Sequence, residues 1–581
     1  MKTTLLIVLF SLMAEASGRS PKLAQDLSSA DPNANIPVII QYVQQPGDRD
    51  NQKALNLGGE LKHKLQHLKS AAYTMPATSL KALANDPNVR YVSADRPIRA
   101  KLDYSTSAIN ADAAWAASFT GSGVGVALID SGVSDVHDLT DKKKRIVYQM
   151  DFVGKDGKDQ YGHGEHVAGI IAASGKASQC SKCNRPLRGV APDANIIDLR
   201  VLDANGQGSD SDVIAAIETA IVLKDLYKIR VLNLSLGRPV YESYTLDPLC
   251  QAVEAAWKAG IVVVVAAGND GRDNSLGTNG YGTITSPGND PYVITVGAMK
   301  TMDTYDRADD LIASYSSKGP TLYDYVVKPD IVAPGNKVVS LLSDANATLA
   351  QSSQTAVPNG YYQSGLSASD RNKRSPSYIT LNGTSMAAAV VSGAVADLLQ
   401  AQPNLSPDQV KARLMKTAHK TFPPTSVATD PSTGQTFTSN YDIFTVGAGY
   451  LDLQAALANT DVAGGTALSP TAALDLASGN IYISSDPSAV WNGRTIDGSR
   501  GVWGTRSVWG TSVIDANRAV WGTRGVWGTS DVAGARGVWG TSAGAAKSSA
   551  AEASSVDSSR GVWATSGSSS DDSSVILNGE N

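Results

Sequence analysis

Four residues, Asp130, His163, Asn269 and Ser385, are of types that together can carry out nucleophilic attack at an acyl carbon. A serine hydroxyl needs a hydrogen-bonded imidazole to take its proton, and the imidazole needs a carboxylate on its other nitrogen. An asparagine amide and a backbone N–H can stabilise the oxyanion that forms. Taken singly, each residue has a commoner role: a turn or a helix cap for Asp130, Asn269 and Ser385, and a surface helix start or half of a metal site for His163. The chemistry therefore requires a fold that brings the four residues together.

The elements around these residues indicate a sheet whose strands end near one edge. Apolar runs of strand length occupy residues 124–129, 196–201, 231–236 and 261–267, and helical patterns occupy residues 167–173, 212–227 and 249–259. Near-continuous apolar strands that alternate with helices are typical of a parallel sheet covered on both faces. Asp130 and Asn269 follow two of these strands, and sites in such sheets gather at the carboxyl ends. We therefore predict an α/β domain with a doubly wound, mainly parallel sheet over residues 103–461.

Three motifs resemble the signature blocks of the subtilisin family, the subtilases. They are Ala127-Leu-Ile-Asp-Ser-Gly132, His163-Gly-Glu-His-Val-Ala-Gly169 and Gly383-Thr-Ser-Met-Ala387. The order Asp, His, Ser along the chain is also that of the family. Further similar segments are residues 233–237, 266–269, 316–320 and 328–335. Three blocks in register are highly specific, and the resemblance covers residues 103–458.

The resemblance implies a subtilisin-type serine endopeptidase that hydrolyses proteins or peptides through an acyl-enzyme. It implies that Ser385 is the nucleophile, that His163 is the base and that Asp130 is the carboxylate partner of His163. Asn269 and the Ser385 amide would form the oxyanion hole, and His166 would be structural. The remaining implied site residues pair with substrate backbone as an added strand or form the specificity pocket: Gly206, Gly208, Ser235, Leu236, Gly237 and Thr285.

The sequence departs from the family pattern at three places. Glu165 stands where the family usually has Thr, and it would raise the basicity of His163 only if it points inward. Ala389 replaces a usual Pro one turn after the serine. A polar, Cys-bearing stretch, residues 175–187, replaces the loop that holds a tight calcium site in many relatives. We expect no cofactor or metal ion to be required for the chemistry, and the sequence leaves a structural Ca²⁺ as an open alternative.

The first residues are typical of an export signal. Lys2 supplies a positive charge, residues 4–14 form a short apolar run, and Ala14-Glu15-Ala16 is a small-x-small cleavage pattern. The alternative is a buried first strand or helix. The run is too short to span a bilayer, and we find no later segment that is apolar enough to do so. We predict a signal peptide over residues 1–17 and a secreted protein, with association at the cell surface as an alternative.

Residues 36–102 resemble the inhibitory propeptide of subtilases. The likeness lies in residues 38–43, 80–89 and 92–97. Local patterns predict strands at 37–43 and 89–92 and helices at 52–68 and 80–85, which make a small α+β module. The resemblance implies an intramolecular inhibitor and folding template that is removed by self-cleavage between about residues 98 and 104. A small permanent domain is the alternative.

The last part of the chain, residues 462–581, contains an internal repeat. Val-Trp-Gly-Thr occurs at Trp503, Trp509, Trp521, Trp527 and Trp539, with variants at Trp491 and Trp563, and every spacing is a multiple of six. Three interpretations stay open: an aromatic array that contacts a surface or polymer, a β-rich packing unit, or a spacer trimmed during maturation. The Ser-rich stretch after residue 543 is predicted to be disordered.

Composition and charge narrow the function classes. The net charge of −5 over 581 residues gives no electrostatic case for nucleic acid binding. Of three cysteines, Cys180 and Cys183 favour a local disulfide, which leaves Cys250 buried and free. Two rival functions stay open: a secreted adhesion protein with a vestigial protease domain, and a processor that cleaves only itself.

Overall fold

The computed structural model describes residues 22–24, 27, 34–65, 69–94, 104–141, 144–154, 157–275, 277–430, 433–474, 481–484, 562–563 and 570–580. The chain divides into two compact units, residues 1–100 and residues 101–581. The predicted signal peptide, the segment from residue 98 to residue 103 and all the tryptophan repeats before Trp563 lie outside the described residues.

The first unit contains a four-stranded antiparallel sheet in the order β2-β3-β1-β4. The strands are β1 (Asn35–Tyr42), β2 (Glu60–Leu65), β3 (Ser70–Pro76) and β4 (Val89–Ala94), and the helices are Asp48–Asn56, Ala77–Ser79 (3-10) and Leu80–Asn85. Val38 and Ile40 of the central strand β1 and Val92 of the edge strand β4 are fully buried, so this unit has a hydrophobic core of its own. Such a core is the physical requirement for an independently folded module.

The predicted helix over residues 52–68 is wrong in its second half. The helix ends at Asn56, and β2 begins at Glu60 as an edge strand of the sheet. Gly58 adopts a left-handed φ of +83°, and a Cβ on Gly59 would lie 2.2 Å from the Met75 sulfur. The glycine pair therefore ends the helix and turns the chain back along β3, because neither position accepts a side chain without strain or collision.

The second unit is built on an eight-stranded, mainly parallel sheet in the order β12-β11-β10-β9-β5-β7-β6, with β13 beside β11. β12 is antiparallel to β11, and the pairs inside the sheet are parallel. The strands of this unit are β5 (Gly125–Asp130), β6 (Ile146–Asp151), β7 (Asn195–Arg200), β8 (Gln207–Gly208), β9 (Ile229–Leu234), β10 (Val262–Ala266), β11 (Ile294–Lys300), β12 (Leu311–Ile312), β13 (Ile331–Pro334), β14 (Val338–Leu341), β15 (Ala356–Pro358), β16 (Arg374–Leu381), β17 (Thr425–Thr429), β18 (Thr436–Asn440), β19 (Thr471–Leu474), β20 (Ile481–Ser484) and β21 (Val562–Trp563). The four strands predicted from apolar runs are confirmed to within two residues.

Helices surround this sheet, and two of them carry predicted site residues. The histidine helix is His163–Ala172, and the serine helix is Thr384–Ala401, which packs on β9, β10 and β11. The other helices are Tyr104–Ala108, Ala111–Ala116, His137–Thr140, Asp210–Tyr227, Pro248–Lys258, Ala368–Arg371, Pro407–Thr417, Ile443–Val446, Leu453–Ala458 and the C-terminal helix, Ser570–Asn578. In the described part of the chain, only the serine helix is long and apolar enough to cross a membrane, which differs from the expectation that no later segment would be; 89% of that window is buried, because it is a core helix.

The structure of the second unit tests two further predictions from the sequence, the cysteine pairing and the disorder after residue 543. Cys180 and Cys183 form a disulfide, and Cys250 is buried and free, as predicted. The predicted disorder after residue 543 is wrong for residues 570–580, because Ser570–Asn578 is helical and Ile576 is buried. A helix with buried apolar residues was not expected there because the flanking sequence is dominated by Ser and Ala.

Candidate active site

Asp130 and His163 form a buried hydrogen-bonded pair. Asp130 is the last residue of β5, and His163 is the first residue of the histidine helix. The His163 Nδ1–H donates to Asp130 Oδ1 at 2.8 Å, and neither side chain has any exposed surface. The Ser131 N–H also donates to Asp130 Oδ1 at 2.8 Å, which fixes the carboxylate. The bond between His163 and Asp130 sets the imidazole tautomer, which leaves Nε2 as the hydrogen-bond acceptor.

Asp159 and Ser131 hold the start of the histidine helix against the end of β5. The Asp159 carboxylate accepts from the Gly162 N–H at 2.7 Å, the Glu165 N–H at 2.8 Å and the Ser131 hydroxyl at 2.8 Å. The Gly164 N–H donates to Ser131 Oγ at 2.8 Å. These bonds satisfy the first N–H groups of the helix, which otherwise lack partners. The direction of His163 is therefore fixed by its helix as well as by Asp130.

The charge of Asp130 controls the protonation of His163. Burial lowers the pKa of His163, but the Coulombic attraction of Asp130 and the hydrogen bond that His163 donates to it outweigh burial, so the pKa ends above the ordinary value of 6.5. His166 behaves in the opposite way: burial and the neighbouring His163 lower its pKa to about 3, and its Nε2–H donates to the Val338 carbonyl at 3.0 Å. His166 is thus a neutral side chain that ties the helix to β14.

Ser385 lies in the first turn of the serine helix and is hydrogen-bonded to the segment that follows β9. The Ser385 hydroxyl donates to the Ser235 carbonyl at 3.1 Å, and the Ser235 hydroxyl donates to the Ser385 carbonyl at 2.9 Å. Asn233 supports Ser235 through its side-chain N–H at 2.9 Å. The nucleophile candidate is therefore held in place by reciprocal bonds rather than by packing alone.

Asn269 is oriented by Thr384, a residue that sequence reasoning did not single out. Both the Thr384 N–H and the Thr384 hydroxyl donate to Asn269 Oδ1, at 3.0 and 3.1 Å. The Gly268 N–H in turn donates to Thr384 Oγ1 at 3.1 Å. A Cβ on Gly383 would lie 3.3 Å from Nδ2 and 3.5 Å from Oδ1, so the whole Asn269 amide lies against the start of the serine helix.

The register of the sheet brings the two halves of the site together. Ile129 pairs with Leu234 across β5 and β9, so Asp130 and Ser235 end neighbouring strands about 5 Å apart. Ser385 is bonded to Ser235, while His163 is bonded to Asp130. Among the described residues, His163 Nε2 has no hydrogen-bond partner. In unliganded enzymes catalytic hydrogen bonds are often long and tighten only with substrate.

Gly206 and Gly208, two of the predicted cleft residues, are closely packed against their surroundings. Gly206 has a φ of +76°, and a Cβ there would lie 2.6 Å from the Tyr161 ring, whose centroid is 6.4 Å from that of His163. Gly208 belongs to the short strand β8, and a Cβ there would lie 2.2 Å from the Val201 carbonyl oxygen. Glycine is therefore required at both positions. Tyr161, which sequence reasoning missed, connects this edge to the histidine.

Three of the other predicted cleft residues, Leu236, Gly237 and Thr285, are closely packed. A Cβ on Gly237 would lie 2.8 Å from Thr285 Oγ1, so these two residues face each other closely. Leu236 and Thr285 are buried, with 1% and 3% exposure. The next residues, Arg238 and Ser286, exchange backbone hydrogen bonds of 3.0 and 2.9 Å, which join the segment to the loop carrying Thr285.

Glu165 points inward but does not touch His163. Its side chain has no exposed surface, and one carboxylate oxygen accepts from the Ser134 N–H at 2.6 Å. Burial raises the pKa of Glu165 well above its ordinary value, and the nearby Asp159 and Asp198 raise it further. The favoured state is therefore the neutral acid, which cannot act as a second negative charge beside the base.

Among the described residues, no group of three or more His, Cys, Asp or Glu side chains is placed to hold a metal ion. The stretch 175–187, which replaces the usual calcium loop, contains the Cys180–Cys183 disulfide and a 3-10 turn at Lys176–Ser178. The alternative of a structural Ca²⁺ elsewhere stays open.

Comparison with known proteins identifies the family. The model of the subtilase family matches residues 121–448, which is more than half of the chain. Serine protease AprX of Bacillus subtilis (strain 168) is 36% identical over 396 residues, covering 65% of this chain and 81% of that protein. Subtilisin E of the same organism is 32% identical over 368 residues, covering 62% of this chain and 78% of that protein.

A third similar protein is the extracellular serine proteinase of Thermus sp. (strain Rt41A), which is 31% identical over 360 residues and covers 60% of this chain and 70% of that protein. A buried carboxylate–imidazole pair and a serine at a helix start, set at the strand ends of a mainly parallel sheet, define a serine hydrolase site. The chain belongs to the subtilase family, and it is a serine endopeptidase.

Proposed function

We propose that Asp130, His163 and Ser385 form the catalytic triad of this endopeptidase. The observation that carries the proposal is the buried 2.8 Å bond between Asp130 Oδ1 and His163 Nδ1, which leaves Nε2 available as a base, while Ser385 is bonded to Ser235 just after the neighbouring strand β9. His163 takes the proton of the Ser385 hydroxyl as Oγ attacks the scissile carbonyl. His163 then gives that proton to the leaving amine, and an acyl-enzyme remains on Ser385.

Asn269 and the Ser385 N–H are proposed to stabilise the oxyanion of each tetrahedral intermediate. The support is the pair of Thr384 bonds that occupy Asn269 Oδ1 and so aim the amide nitrogen. A water molecule attacks the acyl-enzyme in the second half of the reaction, with His163 again as base. Because these residues handle every proton and charge, we propose that the chemistry requires no cofactor.

The substrates are proposed to bind as an extended strand between two backbone segments. Gly206 and Gly208 offer one edge, and Ser235, Leu236 and Gly237 offer the other, with Thr285 behind Gly237 as a wall of the specificity pocket. Main-chain pairing of this kind gives affinity without demanding one side chain. Proteins and peptides with an unfolded segment are therefore the proposed substrate class.

We further propose that the protein is secreted and matures by removing its own N-terminal module. The support is the export-signal pattern of residues 1–17 and the separate unit over residues 1–100, which has its own core. The module would inhibit the enzyme until cleavage between about residues 98 and 104. Contact of the tryptophan repeats with a surface or polymer stays a prediction.

The test is to express the precursor beside a Ser385→Ala variant and to follow both by intact mass spectrometry. The expected result is that the unmutated chain loses its N-terminal module near Tyr104 and that the variant keeps it. Retention in both chains would contradict a working protease, and loss in both would assign the cleavage to another enzyme. Ser122→Ala, a change at an exposed serine of the same unit, is the control and should still be processed.

A further inference from the structure

A segment near the end of the chain lies on the predicted substrate edge. β21 (Val562–Trp563) pairs antiparallel with β8 (Gln207–Gly208), with Val562 opposite Gly208 and Trp563 opposite Gln207. These two strands form a sheet of their own, separate from the main sheet. Val562–Trp563 begins the last copy of the repeat, Val-Trp-Ala-Thr. The chain therefore places one of its own repeats where an extended peptide would add a strand.

The edge formed by Gln207 and Gly208 lies close to the catalytic histidine, His163. Gly206, one residue before β8, packs against the Tyr161 ring, and that ring is 6.4 Å from His163 between centroids. Gln207 is exposed, so the edge is accessible to a peptide when β21 is absent. A segment that pairs with Gln207 and Gly208 uses the same backbone edge as a substrate. The two therefore cannot bind there at the same time.

The C-terminal helix anchors this segment a few residues further on. The Asn382 N–H and side-chain N–H both donate to the Ile576 carbonyl, at 3.2 and 2.9 Å. Asn336 and Glu580 exchange two bonds of 2.9 Å through the Asn336 amide and the Glu580 backbone. Asn382 lies three residues before Ser385, so the anchor is attached to the base of the serine helix.

The Glu580 carboxylate fills a closed cationic socket. It has no exposed surface and contacts Arg272 at 2.6 Å and Lys300 at 3.1 Å. The Ser314 N–H donates to both carboxylate oxygens, at 3.0 and 3.1 Å, and the Ser314 hydroxyl donates to Oε1. A buried carboxylate is costly unless it is paired and hydrogen-bonded in this way. The socket therefore recognises the acid specifically.

Two independent attachments thus hold the segment in place. The strand pairing at Trp563 and the helix that begins at Ser570 are separated by only six residues. A short linker to an anchored element gives an effective local concentration of about the millimolar range. Weak strand pairing is enough to occupy the edge under those conditions.

We propose that the edge Gln207–Gly208 binds the chain's own segment Val562–Trp563 as an added strand, held by the Glu580 socket, and that this segment competes with substrates. The proposal rests on the proposed role of Gly206 and Gly208 in substrate binding. The occupant is a covalently attached strand, so the competition is independent of enzyme concentration. Its consequence is a raised KM at an unchanged kcat.

The kinetic test compares the full chain with Trp563→Pro and Glu580→Gln, using a fluorogenic peptide long enough to pair with β8. Proline removes one backbone N–H and disfavours strand pairing, while glutamine removes the charge that fills the socket. Both variants should lower KM roughly tenfold, as expected when a tethered competitor is released, with kcat unchanged. The matched controls are Trp539→Pro, in another repeat, and Glu218→Gln, on an exposed helix face, and both should match the unmutated chain.

A second measurement separates the docking from the catalytic function. Hydrogen exchange is followed in the Ser385→Ala background, where no proteolysis can occur if the triad assignment is right. The N-terminal module is first removed by an added protease at a site introduced near residue 104, so that a retained module cannot protect the substrate edge. The peptide covering residues 203–209 should exchange faster with Trp563→Pro and with Glu580→Gln than with the controls. This readout needs no activity, so it tests the docking even if the triad assignment fails.

Three outcomes would overturn the proposal. One is an unchanged KM together with unchanged exchange at residues 203–209 in Trp563→Pro, a variant outside the main sheet that leaves Glu580 in place. Another is faster exchange without a lower KM, which would mean that the docked strand does not block substrates. The third is cleavage of the unmutated chain within a few residues of Trp563, because a strand that is cut there is a substrate and not a resident competitor.

Discussion

His163 sets the pH dependence of the enzyme. Its pKa lies above 6.5 because the Asp130 charge outweighs the effect of burial. The base works only when Nε2 is neutral, so activity falls as the pH drops through this raised pKa. The acid limb of kcat/KM should therefore have its midpoint above 6.5. A midpoint at or below that value would contradict the electrostatic role of Asp130.

A substitution at Glu165 tests the electrostatic control of the His163 pKa more specifically. Burial favours its neutral form, so the isosteric change Glu165→Gln should leave the midpoint of the acid limb where it is. If Glu165 were ionised, removal of a negative charge near His163 would lower the midpoint by about one unit. A pH series of kcat/KM for both proteins distinguishes the two cases. Asp130→Asn, which removes the direct partner, is the positive control.

Asn269 should act on the transition state and not on substrate binding. We expect Asn269→Ala to lower kcat by roughly a hundredfold or more with little change in KM; this magnitude comes from the corresponding asparagine in a subtilisin and is borrowed here. Steady-state kinetics on a peptide substrate measure both constants. Asn346→Ala, at an exposed asparagine, is the control. An unchanged kcat in Asn269→Ala would remove this residue from the oxyanion hole.

At the level of elements, the approach of the histidine helix to β5 is controlled by glycine. A Cβ on Gly164 would lie 2.3 Å from the Gly132 carbonyl oxygen, so Gly164→Ala must push the helix away by roughly 1 Å. Misplacement by that distance costs about a hundredfold in rate. We expect kcat/KM to fall by that order while the chain stays folded, as measured by circular dichroism. Ala255→Ser, at an exposed position of another helix in the same unit, should change neither; full activity in Gly164→Ala would show that the helix position is not critical.

The sequence was most informative where elements are long and apolar. The strands that end at Asp130 and near Asn269 were predictable because a buried parallel strand is an almost continuous apolar run. The change from helix to strand at Gly58–Gly59 could not be predicted, because β2 is an exposed edge strand whose polar residues show no alternation of period two. The orienting role of Thr384 was also invisible, since it depends on a bond to Asn269, 115 residues away in sequence.

The C-terminal residues show the same limit of prediction from sequence, because their contacts are with residues far away in the chain. Glu580 has no local signal that distinguishes it from a solvated acid near the end of a Ser-rich segment. Its burial depends on Arg272, Lys300 and Ser314, which lie some three hundred residues earlier in the chain. Pairing between charges so far apart cannot be read from one sequence, whereas the Asp, His and Ser blocks are recognised locally.

At the scale of the whole molecule, a buried charge network ties the main sheet to its surroundings. Asp330, just before β13, contacts Lys328 at 2.8 Å and Lys411 at 3.3 Å, and all three side chains are fully buried. The Thr295 N–H of β11 and the Ser469 hydroxyl also donate to Asp330, at 2.8 and 2.6 Å. One carboxylate thus joins two strands, a helix and the segment that follows the predicted catalytic domain.

Asp330→Asn leaves two buried lysines without their negative partner, so we expect a loss of about 3–5 kcal/mol in the free energy of unfolding. Urea unfolding in the Ser385→Ala background measures this without self-digestion. Asp370→Asn breaks an ion pair with Lys373 whose partners are both largely exposed, and it should leave the unfolding midpoint unchanged. If both variants unfolded at the midpoint of the parent, the network would be dispensable, and the stability of this unit would have to come from apolar packing around the serine helix alone.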